Sequence, residues 1–126
     1  MKVEVWLARA ERALSSAGSV FDLGDPERAC STAYYAMFYA ARAALIHVGQ
    51  PERAMGKTHA GMVSAFNQFV VKPGLLDVSL GRAFSLELNR RITADYEEEG
   101  VTPAAAAESI GSARTFVAAV RSMIDG

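Results

Sequence analysis

Ser31-Thr-Ala-Tyr-Tyr-Ala-Met-Phe-Tyr-Ala-Ala-Arg-Ala-Ala-Leu45 decides the fold class. Residues 33–41 are nine apolar side chains in a row, so no side of this segment faces water without cost. A surface helix shows one apolar stripe, whereas a helix apolar all round is buried on several sides. A membrane span needs about 20 apolar residues, and Arg42 closes this run well short of that. Ala29, Ala33, Ala36, Ala40 and Ala43 recur at helical spacing and form a seam of small side chains that another helix can approach closely. Tyr34, Met37, Phe38 and Leu45 supply bulk on other faces. The stretch reads as the central helix of a helical bundle.

Working outward, 126 residues suit one domain spanning 1–126, large enough to bury a core without covalent staples. Alanine occurs 23 times, and β-branched and aromatic residues do not alternate at period two, so the expected class is all-α. Thirteen basic against fourteen acidic residues leave a net charge of -1, which removes any global electrostatic case for nucleic-acid binding. Such binding would need a local patch. Ten of the thirteen basic residues are arginine, which suits bidentate contacts to carboxylate or phosphate and equally suits surface ion pairing. Cys30 is the one cysteine, so no disulfide framework exists. With no signal-peptide pattern and no membrane segment, a cytoplasmic protein is expected.

The periodicity then predicts four long helices and one short one. Val3, Trp6, Leu7, Ala10, Leu14, Ala17 and Phe21 make the core face of a first helix over about 2–23. Asp25-Pro26 supplies an N-cap and a proline at the first position of the central helix, and Gly49-Gln-Pro51 stops it. Residues 50–57 read as a loop. A short helix over 58–71 turns Met62, Val63, Phe66, Phe69 and Val70 inward, and Lys72-Pro-Gly74 breaks it. The fourth helix, a long one, covers 76–96, followed by the acidic run Glu97-Glu-Glu-Gly100. Thr102-Pro103 starts the last helix, which buries Ala106, Ile110, Ala113, Val117, Val120 and Ile124. Short connections favour antiparallel neighbours and hence an up-and-down bundle.

Chemistry concentrates on the 76–96 segment. At about 100° per residue, Leu80, Phe84 and Leu88 form its core stripe, with Ile92 at the border. Arg91 and Asp95 fall inside that stripe, Glu87 lies at its edge, and Arg90 sits opposite, where a solvated charge belongs. Glu87–Arg91 and Arg91–Asp95 are both i,i+4, so ion pairing within the helix is one reading and a polar pocket the other. Tyr96 packs against the last helix or borders that pocket. Lys57-Thr-His59 opens the short helix, where free N–H groups favour an anion. His59 is there either a cap or a general acid–base group, and His47 suits the C-terminal dipole of the central helix. Two histidines and one cysteine exclude a structural zinc site, and no glycine-rich phosphate loop or catalytic triad is present.

These residues together resemble the HEPN family of small helical proteins of bacteria and archaea. The resemblance rests on the Ala33–Leu45 core, on Lys57-Thr-His59 followed by Phe66, on Val71-Lys-Pro-Gly-Leu75 and on Arg91-Ile-Thr-Ala-Asp-Tyr96. It implies an up-and-down bundle that forms a homodimer and pairs with a minimal nucleotidyltransferase, often as toxin and antitoxin. It also implies that many members cleave RNA without metal. Catalytic members carry arginine, then four to six residues, then histidine. Here Arg91 fits the arginine, but Tyr96, Glu97 and Glu98 stand where the histidine belongs, and no histidine follows.

Three functions follow as expectations. The first is a HEPN-type module that binds nucleotide, RNA or its partner through Lys57, His59, Arg91, Asp95 and Tyr96, with Tyr96 also a target for nucleotide transfer by that partner. The second is a metal-independent ribonuclease toxin using Arg91 with His59 or Tyr96. The third is a structural dimerisation domain. None calls for a cofactor.

Overall fold

The computed structural model describes residues 2–96 and 100–126, and the side chains of residues 94–96 lie outside the description. All the described secondary structure is helical. Helix α1 runs Val3–Asp22, α2 Pro26–His47, α3 Pro51–Ala54, α4 His59–Phe66, α5 Val78–Tyr96 and α6 Pro103–Asp125. The all-α bundle read from the sequence is the fold observed. Two details differ. Residues 51–54, expected in a loop, form the single turn α3, because Pro51 occupies the first helical position after Gln50. The expected short helix divides into α4 and a π-helical turn over Asn67–Val71.

The boundaries follow from local chemistry. Asp25 caps α2 by accepting from the Arg28 N–H, and Thr102 caps α6 by accepting from the Ala105 N–H. Gly24 and Gly49 reverse the chain after α1 and α2 with φ of 88° and 84°, a conformation that costs a residue with a Cβ. Helix α2 touches every other helix. Its alanine seam is fully buried, as are Tyr34, Met37 and Leu45. Below α2, Phe66 of α4, Phe84 of α5 and Phe116 of α6 pack with ring centroids 4.9–5.8 Å apart. No described helix is long and apolar enough to cross a membrane.

The charged side of α5 departs from expectation. Glu87 is 2% exposed, yet its partner is Arg90 at 3.3 Å and not Arg91. Its carboxylate also accepts from the Ser109 hydroxyl at 2.6 Å. Arg90, expected in solvent, also donates to the Ala105 carbonyl, Ser109 Oγ and Glu108. The physical reason is the neighbour. Helix α6 lies on the side of α5 toward which Glu87 and Arg90 project, and its buried Ser109 supplies the matching hydroxyl. Cys30 Sγ lies 3.4 Å from the same hydroxyl, and burial raises its pKa.

Candidate functional site

The second and third residues of the apolar run, both tyrosines, matter most. Tyr34 and Tyr35 are consecutive on α2, so their side chains diverge by about 100°. Tyr34 goes inward and is 1% exposed, whereas Tyr35 is half-buried. A buried phenol needs a partner for its hydroxyl. Tyr34 finds it in His59, with Oη 2.8 Å from Nδ1. Tyr35 accepts a hydrogen bond from Arg91 Nη2 at 3.2 Å. The Arg91 guanidinium also lies over both rings, 5.1 Å from the Tyr35 centroid and 5.5 Å from that of Tyr34. His59 packs within 5.5 Å of Tyr34, 5.8 Å of Tyr35 and 5.0 Å of Phe38, centroid to centroid. Arg91 from α5 and His59 from α4 thus meet on one tyrosine pair.

The electrostatics follow from this packing. Burial, then the charges of Arg91 and Arg42, hold His59 below its ordinary 6.5, so the ring is neutral at physiological pH. Burial raises the Tyr34 phenol, which stays protonated. A protonated phenol beside a neutral imidazole is best satisfied by donating to Nδ1, since among the described residues the Tyr34 proton has no other acceptor. That assignment leaves the ring proton on Nε2. His59 and Arg91 then both offer N–H donors, the equipment for an anion.

Of the residues singled out from the sequence, Arg91 and His59 come together. Lys57 is exposed, outside the contacts that join Arg91 to His59, while Thr58 caps α4 by accepting from the Gly61 N–H. The side chains of Asp95 and Tyr96 and the run Glu97–Glu99 lie outside the described residues, and so does the expected Arg91–Asp95 pair. Sequence reasoning treated Tyr34 as bulk and passed over Tyr35. The available signal was a pair of hydroxyls inside an otherwise apolar run, each of which must find a partner.

Comparison with known proteins agrees with this architecture. The HEPN domain model matches residues 3–123. The chain belongs to the HEPN domain family. A UPF0332 protein of Thermotoga maritima is 30% identical over 129 residues, covering 98% of this chain and 91% of its own. A Methanocaldococcus jannaschii protein bearing the name "Putative toxin" is 30% identical over 116 residues, covering 92% of this chain and 84% of its own. A UPF0332 protein of Archaeoglobus fulgidus is 39% identical over 88 residues, 68% of this chain and 67% of its own. In this HEPN chain the histidine comes from α4 and the arginine from α5, so their meeting depends on the fold and not on a linear motif.

Proposed function

We propose that this chain is a toxin-like HEPN module that binds the phosphodiester backbone of RNA at the Arg91–His59 site. The observation that carries this reading is the convergence of the two side chains on the Tyr34–Tyr35 pair. An arginine and a neutral histidine present donors without a carboxylate of the described residues between them, and aromatic rings offer surfaces for bases. The toxin name of the M. jannaschii relative supports the toxin-like part. In this reading the module acts as a homodimer and is held in check by a minimal nucleotidyltransferase partner.

The test is equilibrium binding of a labelled single-stranded RNA by fluorescence polarisation. Arg91→Ala removes charge-assisted hydrogen bonds and should weaken binding roughly ten- to a hundredfold with the circular dichroism of the wild type. Equal affinity in a folded Arg91→Ala protein would rule the site out.

One observation favours cleavage as a second reading: a histidine stands within reach of the same rings as the arginine. With the ring proton moved to Nδ1 and donated to Tyr34 Oη, His59 Nε2 would take the RNA 2′-hydroxyl proton as that oxygen attacks phosphorus. It would return the proton to the 5′-oxygen as the bond to phosphorus breaks, with Arg91 stabilising the phosphorane charge. The products are a cyclic phosphate and a 5′-hydroxyl. Incubation of RNA with protein and chelator, followed by end-group analysis, decides it. Cyclic-phosphate ends that vanish in both Arg91→Ala and His59→Ala would establish a nuclease, and intact RNA at high protein concentration would leave binding alone.

A further inference from the structure

The site does not end at Arg91 and His59. Trp6 and Arg9 are i,i+3 on α1, and Tyr39 and Arg42 are i,i+3 on α2, so each helix lays an aromatic ring and a guanidinium on the same face. The two pairs meet. Arg9 Cζ lies 4.7 Å and Arg42 Cζ 4.5 Å from the centroid of the Trp6 indole, and the Tyr39 ring lies 6.0 Å from it. Arg42 also covers Phe38 at 4.8 Å, and Phe38 packs on His59. Tyr39 in turn lies 6.1 Å from Tyr35, the ring that carries Arg91. An unbroken row of rings and guanidiniums therefore runs from Arg91 through Tyr35, Tyr39 and Trp6 to Arg9.

This row is electrostatically unbalanced. The ion pairs among the described residues use Arg28, Arg90 and Arg121, and none involves Arg9 or Arg42. Two guanidiniums on one indole repel each other, and without a carboxylate the repulsion stands. The Ala54 carbonyl accepts from Arg42 Nε at 2.7 Å, which anchors that side chain and leaves its terminal nitrogens for another acceptor. Trp6 is only half-buried, and Arg9 is exposed. Cations with no ion-pair partner among the described residues, interleaved with accessible rings, fit a ligand that alternates anionic groups with flat faces.

We propose that Trp6, Tyr39, Arg9 and Arg42 form an extended subsite where unpaired bases of a single-stranded RNA stack while its phosphates meet the guanidiniums. This rests on the RNA-binding reading above and narrows it to single strands, because a duplex keeps its base faces stacked inside. Bases stack on indole and on guanidinium planes alike, so Arg9 serves either as the platform or as the phosphate contact beside it.

Trp6 is the one tryptophan of the chain and reports its own surroundings. The experiment titrates the protein with a short oligouridylate, and separately with its duplex with oligoadenylate, following tryptophan emission and polarisation of labelled RNA together. The expected result is quenched emission with the single strand, weaker binding of the duplex, and loss of roughly five- to a hundredfold in single-strand affinity on Trp6→Leu. Trp6→Phe should recover most of that loss, which separates stacking from volume. Arg9→Gln, at an exposed position, should weaken single-strand binding without touching the fold. RNA that binds single and double strands equally, with unchanged emission and a neutral Trp6→Leu, would overturn the subsite and leave the Arg91–His59 reading standing. No RNA binding by the wild-type protein would overturn both.

Discussion

Tyr34 joins the core of the molecule to its site. Its ring stacks on Phe84 with centroids 6.0 Å apart, and its hydroxyl meets His59. Tyr34→Phe keeps the ring and removes the hydroxyl, and should cost about 1 kcal/mol of stability, read as a shift in the urea midpoint at unchanged slope. His59 sets a pH dependence with a definite sign. Its folded value lies below 6.5, so on acidification the unfolded chain takes up the proton first. Stability is therefore complete above the unfolded value, falls as the pH drops through about 6.5, and levels off below the folded value. Because part of the depression comes from the Arg91 charge, an anion bound there should raise the His59 pKa. Denaturation of wild type and His59→Gln across this window checks the sign: the variant should lack this part of the slope. A wild-type slope identical to that of the variant would refute it.

At the scale of elements, α5 carries two different chemistries on adjacent sides. Toward α6 it offers Glu87 and Arg90 to the buried Ser109; toward α2 it offers Arg91 to the tyrosines. Glu87→Ala would leave the buried Ser109 hydroxyl without its acceptor and take one of several partners from Arg90, and should destabilise by about 2 kcal/mol in chemical denaturation. Replacing Glu87, Arg90 and Ser109 together with apolar residues of similar volume should cost far less, and an equal loss would contradict this account. The helices themselves were legible because proline, capping residues and apolar spacing coincide at Pro26 and Pro103, and the Leu80, Phe84 and Leu88 stripe is buried as its spacing implies. The pairing of charges was not legible. Spacing along α5 shows that Glu87 can reach position 90 or 91, but which one it takes depends on the helix beside it. The same limit hid the site: His59 and Arg91 belong to different helices, and only the tertiary packing of α4 and α5 against α2 brings them to one pair of rings.

For the whole molecule, a net charge of -1 means that no long-range field draws a polyanion in, so the proposed binding rests on the local row of arginines and rings. The chain also carries its own internal control. It has two histidines, His59 at the site and His47, exposed in the last turn of α2. The most direct measurement is proton NMR of the two imidazole rings during titration with a short single-stranded RNA, repeated with Arg91→Ala. The expected result is movement of the His59 resonances with His47 unmoved, together with loss of that response in the variant. Bound RNA that leaves His59 where it was, or moves His47 alone, would show that the Arg91–His59 convergence is not where this module meets its ligand.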